Sequence, residues 1–262
     1  MVDKDWKRAF REEGEVFLNL FFPETCPVCG RPSDGRETSE KACPLCLKGL
    51  KEITGPVCIR CGRPVSSPGD FYCGECKNRG WDASASFEQG ICLYPYAEVQ
   101  DGLLELKYKN RREYAEFYGR AAAKRSAELI REVWKADVLI PVPVHALRKN
   151  LRGYNQAALI ARVMGREMDL PVEEHILIRT KQTTAQKKLD PLERLRNLRG
   201  AFACKGDVSG LRRVVLVDDV FTTGSTVESC ARVLIAAGIE QVYFVAIGIA
   251  ASGDSPMTQP RN

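Results

Sequence analysis

No stretch of this sequence is apolar for long enough to cross a bilayer. The most apolar patch near its start, Val16 to Phe22 (VFLNLFF), falls far short of the roughly 20 residues a spanning helix needs, so membrane insertion is not expected. A secretory leader is equally missing from the opening MVDKDWKRAFREE, where acids interrupt the basic start and no small-residue cleavage site follows a long apolar core. Both absences point to the cytoplasm. A large charge imbalance is lacking too: a formal net charge of +5 over 262 residues is too mild by itself to argue for nucleic acid. What is present, 44% hydrophobic and 28% charged residues, suits a globular chain with a full core, and the length allows one large domain with a small one.

Cysteine is plentiful and unevenly placed. Eight of the 11 cysteines form four CxxC pairs before residue 80: Cys26/Cys29, Cys43/Cys46, Cys58/Cys61 and Cys73/Cys76. In a reducing compartment such pairs are metal ligands sooner than disulfides, and a thioredoxin-like redox motif would occur singly beside a βαβ pattern. Each pair offers half of a tetrahedral zinc site, and a second pair completes it. CPVCGRP with CPLC is echoed by CIRCGRP with CGEC, across 13 and then 11 intervening residues. Two zinc ribbons in tandem follow from sequential pairing, while an interleaved pairing satisfies valence equally. The module has few aliphatic residues, so two structural Zn²⁺ ions must supply most of its folding energy. Cys92, Cys204 and Cys230 stand apart and read as small hydrophobes.

From residue 81 onward strands and helices alternate. Phe87 to Tyr96 reads as a strand, with a hairpin turn open at Gln89 and Gly90. A long amphipathic helical run follows from Gly102 to Ala136, its apolar stripe marked by Tyr114, Phe117, Tyr118, Ala121, Leu129, Ile130, Val133 and Trp134. DVLIPVP is a short strand stopped by proline, a helix is expected from about Tyr154 to Met168, and HILIR (His175 to Arg179) is a further strand. VVLVD, a helix over Ser225 to Ala237 closed by Gly238, and the strand VYFVAIGI complete the pattern. Alternation of this kind predicts an α/β fold, a parallel sheet with helices on both faces. The expected organisation is a helical segment over 1–25, ribbons over 26–80, the α/β domain over 81–250 and a disordered tail over 251–262.

The run VVLVDDVFTTGST (Val214 to Thr226) carries the chemistry. A strand of a parallel sheet delivers its carboxyl end to the ligand edge, so VVLV places Asp218 and Asp219 there. Thr222, Thr223, Gly224, Ser225 and Thr226 then form a loop whose N–H groups, hydroxyls and following helix N-terminus suit an anion. Acids beside an anion cradle are reconciled by a phosphorylated sugar, whose hydroxyls donate to ionised carboxylates. Mg²⁺ would offset the remaining like charge. Between Arg179 and Arg213 ten basic residues face three acids, a locally cationic stretch.

This run closely resembles the ribose-phosphate signature of the type I phosphoribosyltransferases. Together with the tandem ribbons, the LKY around Lys107, IPVPVHALRKNLRGYNQA (Ile140 to Ala157) and RTKQTTAQKKLDPLERLRNLRGAF (Arg179 to Phe202), it resembles the ComF family of competence-associated proteins over essentially the whole chain. The resemblance implies a phosphoribosyltransferase-like domain that binds phosphoribosyl pyrophosphate with magnesium. By it, Asp218 and Asp219 hold the ribose hydroxyls, and Thr222 to Thr226 bind the 5-phosphate. Val144 and His145 lie in the pyrophosphate loop, and Arg179, Lys187, Lys188 and Arg194 belong to a mobile cationic loop. For Arg148, Lys149 and Arg152, ligand contact and plain helix-surface charge stay equally open, and only the resemblance singles out Lys107. Enzymes of this fold carry a hood that reads the acceptor base. Nothing after Ile249 resembles one, and the ribbon module is the candidate for that place.

Two functional classes follow: a magnesium-dependent phosphoribosyltransferase or related phosphoribosyl-ligand hydrolase, or a non-catalytic protein of the DNA uptake machinery whose ribbons and basic loops engage single-stranded DNA or a helicase-like partner. For the second, Arg31, Lys48, Lys51, Arg60, Arg63, Lys77 and Arg79 supply charge, and Phe71, Tyr72 and Trp81 either stack on bases or pack beneath the knuckles. Elemental analysis of the purified chain is expected to find about two zinc ions per molecule. A chain that folds with none would remove the ribbon reading.

Overall fold

In the computed structural model, residues 25–32, 41–181 and 200–250 are described. Strands β1 (Gln89–Pro95), β2 (Val138–Pro141), β5 (Arg213–Phe221) and β6 (Gln241–Ile249) form one sheet in the order β1-β6-β5-β2, and every pairing is parallel. The expected α/β architecture is what the chain adopts. Alternation along the central strands explains how both faces are covered. Val215 and Val217 of β5, with Val245 and Ile247 of β6, enter one core, while Val214 and Leu216, with Phe244 and Ala246, enter the other. The first face receives α3 (Tyr96–Tyr108), α4 (Tyr114–Glu128) and α6 (Gln156–Met168) through Leu103, Leu106, Tyr118, Ile160 and Met164. The second receives α7 (Ser225–Ala236) through Val227, Cys230 and Leu234. Each fully buried Leu or Phe on these faces contributes about 1.5–3 kcal/mol.

Three expectations are corrected. Gln89 and Gly90 make no hairpin: they open β1, which runs parallel to β6. Gly90 is a site of close approach, since a Cβ there would lie 1.9 Å from the Phe244 ring. The long helical run is two helices, because Asn110 takes a left-handed conformation (φ 57°) that asparagine tolerates better than most residues, so the chain turns between α3 and α4. A π-helical turn, Leu129–Val133, then extends α4, and the Trp134 N–H reaches the Leu129 carbonyl at 2.8 Å. The extra residue shifts the phase of the stripe. Val133 therefore faces solvent, while Trp134 is buried and stacks on Tyr243 at 4.6 Å.

The third correction concerns HILIR. Its core, β3 (Leu177–Arg179), pairs antiparallel with β4 (Phe202–Cys204) in a separate two-stranded ribbon. Leu177 and Phe202 reach the α7-side core, while Ile178 and Arg179 are half-exposed, so this strand covers one face and does not lie inside the sheet.

The cysteine module carries two short helices, α1 (Pro44–Gly49) and α2 (Gly74–Asn78), each opened by a cysteine. Its first half lies on α3 and α4: the Tyr118 hydroxyl donates to the Pro27 carbonyl at 2.6 Å, and Thr25 and Tyr114 share a hydrogen bond. Its second half lies at β1, where the Gly90 N–H donates to the Arg60 carbonyl at 2.9 Å. Short helix α5 (Ala146–Arg152) follows β2. No helix among the described residues is long and apolar enough to cross a membrane.

Candidate functional site

The sulfurs of Cys26, Cys29, Cys43 and Cys46 form one group and those of Cys58, Cys61, Cys73 and Cys76 another, with each group's ligand atoms within 4.8 Å of one another. The pairing is sequential, and the interleaved alternative is excluded. Four thiolates placed tetrahedrally about zinc at 2.3 Å stand about 3.8 Å apart. The Cys29–Cys43, Cys58–Cys76 and Cys61–Cys73 sulfurs are separated by 3.9, 3.7 and 3.6 Å, so both clusters fit the ion. Cys92 and Cys230 are buried among hydrophobic side chains, and burial raises both thiols.

At the carboxyl end of β5 the two acids have different surroundings. Asp219 is buried, and its carboxylate forms an ion pair with Lys107 of α3. Burial works to raise this carboxyl, but the Lys107 charge and hydrogen bond outweigh it and hold Asp219 below its ordinary range. Asp218 is half-buried, and one of its oxygens accepts from the Asp219 N–H at 2.9 Å. Burial, then the neighbouring Asp219 charge, push its carboxyl well above the usual value. Further cations surround the pair: Arg152 of α5 acts on Asp219, while Arg179 of β3 lies within electrostatic range of both Asp218 and Arg148.

Strand β5 leads straight into the expected anion loop. Thr222, Thr223 and Thr226 are half-buried, Gly224 and Ser225 are buried, and the Thr223 and Ser225 hydroxyls are 3.0 Å apart. Gly224 is the N-cap of α7 at φ 73°, a conformation that side chains other than glycine's resist. Val144 and His145 precede α5, and His145 caps it by accepting from the Leu147 N–H at 3.3 Å. Helices α3 and α5 with strands β3 and β5 thus bring Lys107, Arg148, Arg152, Arg179, Asp218 and Asp219 toward one another. Lys187, Lys188 and Arg194 lie outside the described residues, as do most of 1–25 and all of 251–262.

Two features were hidden in the sequence. Of the seven ribbon cations, four are engaged internally among the described residues: Arg60 donates to the Phe87 and Glu88 carbonyls (2.8 and 2.7 Å), Lys77 pairs with Asp70 at 3.3 Å, Arg79 lies over Trp81, and Arg63 reaches the Thr222 carbonyl. Trp81 is buried against Phe87 and Gly224, whereas Phe71 is exposed. Buried Glu228 on α7 accepts from both the N–H and the hydroxyl of Ser86 at 2.9 Å, pinning the segment after Trp81. A tandem CGRP repeat marks Arg31 and Arg63 alike, and only tertiary structure tells them apart.

In comparison with known proteins, residues 17–77 match the family model of the double zinc ribbon domain. Competence protein F of Haemophilus influenzae is 31% identical over 205 residues, covering 76% of this chain and 86% of that protein. Competence protein ComFC of Bacillus subtilis is 30% identical, covering 76% of this chain and 80% of that protein. Among solved structures, a purine phosphoribosyltransferase from Pyrococcus horikoshii aligns at a TM-score of 0.34 and 18% identity, covering 55% of this chain and 79% of that one.

Replacing Lys107 with alanine strands two adjacent acids without their cation. At pH 8 the expected loss of stability is about 3 kcal/mol. Because Asp219 is held low in the native chain, its contribution exists above the ordinary carboxylate range. In the variant, protonation of the pair relieves the repulsion, so the deficit shrinks toward pH 5. Denaturant unfolding at both pH values measures it, and equal deficits would show that charge is not what Lys107 supplies.

Proposed function

Because the chain belongs to the ComF family of competence-associated proteins, we propose that the β5 edge binds phosphoribosyl pyrophosphate with magnesium and transfers its phosphoribosyl group, in a role associated with DNA uptake. The observation that carries this reading is the continuity of Asp218 and Asp219 with a Gly224 turn that opens α7. A vicinal diol donates to the acids while the turn and helix N-terminus take the 5-phosphate. Lys107 does not exhaust Asp219, since a carboxylate accepts at both oxygens and each has more than one lone pair.

Cleavage of the bond between the ribose anomeric carbon and pyrophosphate leaves an oxocarbenium-like sugar and a multiply charged leaving group. Catalysis is then chiefly positioning and charge stabilisation. Arg148 and Arg179 are assigned to the departing pyrophosphate, since Arg179 lies in electrostatic range of Arg148 and of Asp218, and Lys187, Lys188 and Arg194 are assigned to the closing loop. Val144 and His145 are assigned to the diphosphate through their backbone at the start of α5. Magnesium fits as a companion of the diphosphate that keeps several waters. Among the described residues, the four-cysteine clusters are the only places where three or more potential ligands gather.

A second reading is favoured by one surface. At the α3–α4 corner and on α5, exposed Lys109, Arg112 and Lys149 accompany Arg152 over Tyr108 (4.7 Å) and Arg112 over Tyr154 (4.6 Å). Of the two rings only Tyr108 is exposed, and cations grouped around one exposed aromatic suit single-stranded DNA, a partner with which the relatives' competence names agree.

Calorimetry separates the readings. The wild-type chain is expected to bind phosphoribosyl pyrophosphate with Mg²⁺, and Asp218→Ala/Asp219→Ala to lose about a hundredfold in affinity, as removing charged hydrogen-bond acceptors does. Unchanged affinity in the double variant removes the ribose assignment. Pyrophosphate release across a panel of bases and single-stranded DNA then identifies the acceptor. DNA affinity that does not fall with salt would remove the second reading.

A further inference from the structure

The repeated CGRP places an arginine at the same point of each ribbon, yet the two copies have parted. Arg31 is exposed. Arg63 is half-buried, and its guanidinium donates through Nη1 to the Ala250 carbonyl (2.6 Å) and through Nη2 to the Thr222 carbonyl (3.1 Å). Thr222 begins the anion loop, and Ala250 follows β6 and donates its own N–H to the Phe221 carbonyl at 3.0 Å. One side chain of the ribbon thus ties the ends of the two central strands together at the loop.

A second contact comes from the same half of the module. The Trp81 ring lies so near Gly224 that a Cβ there would stand 2.6 Å from it. Both groups are anchored to the knuckles of the second cluster. The Arg63 carbonyl accepts from the Cys58 N–H at 2.7 Å, and the Trp81 N–H donates to the Cys76 carbonyl at 2.9 Å. The path from metal site to loop is short: one cysteine backbone, one side chain, one loop residue, on each of two branches.

We propose that Arg63 and Trp81 are positioning residues through which the second zinc cluster presets the anion loop for its ligand. The ligand's identity rests on the phosphoribosyl reading above, whereas the preset conformation of the loop does not. A guanidinium can hold two carbonyls at once with fixed geometry, which an ammonium on a flexible stem cannot.

Hydrogen–deuterium exchange of peptides covering 222–226 tests this on the full chain, with zinc content and affinity for phosphoribosyl pyrophosphate measured on the same samples. Arg63→Ala is expected to keep two zinc ions, raise loop exchange about tenfold and weaken the ligand by a similar factor. Arg63→Lys falls between. Chelating zinc from the wild type releases both branches and raises loop exchange more than Arg63→Ala does, but in the variant it adds less than its full effect, since the Arg63 branch is already broken. Cys43→Ser, which disables the first cluster alone, leaves loop exchange near the wild-type value. Loop exchange unmoved by Arg63→Ala, or chelation and substitution adding in full, overturns the proposal. If loop exchange responds as expected but the wild type binds no phosphoribosyl pyrophosphate, the preset loop stands and the ligand reading falls.

Discussion

The ion pair of Lys107 with Asp219 is what makes the end of β5 possible. Two successive carboxylates on the central strand of a covered sheet repel each other and lose hydration, and without a cation one of them must take up a proton. Lys107, reaching across from α3, keeps Asp219 ionised and leaves Asp218 as the carboxyl that is hard to ionise. Adjacent acids therefore differ in character, as pairs do where proton affinity is tuned by surroundings. The placement of α3 is part of this arrangement, and α3 lies where Tyr118 and Pro27 join α4 to the first ribbon.

The two ribbons serve different sides of one sheet. Cys26 belongs to the core that contains α3 and α4, while Cys58, Cys61, Cys73 and Cys76 belong to the core that contains α7. Metal-held loops stand in for the apolar layers that the module's own composition cannot build. The repeat is thus duplicated in sequence but divided in use: one copy supports the helix bearing the lysine, the other touches the turn that opens α7.

Much of this was legible in the residues. The CxxC spacing announces tetrahedral thiolate sites because two knuckles geometrically complete one another, although which knuckles meet is a property of the folded chain. VVLV announces a strand buried on both faces, and DD followed by TTGST announces acids at the carboxyl end of that strand and a turn that opens a helix. What was not legible depends on contacts distant in sequence. Gly90 looks like a turn until Phe244 is seen beside it, and Lys107 looks solvent-facing until Asp219 is placed opposite. HILIR has the composition of a sheet strand, but its partner is Phe202–Cys204 and not a strand of the main sheet. The Asn110 turn is a single-residue event inside a strongly helical pattern, which periodicity averages away.

The anchoring of Ala250 also decides where anything attached to the chain beyond it must emerge. With its carbonyl held by the ribbon and its amide by Phe221, residue 250 leaves the body beside the loop of Thr222 to Thr226. A label joined directly after residue 250 therefore starts beside that loop and its neighbouring acids, whereas an internal dye on an exposed position such as Lys48 stands on the zinc module's outer surface.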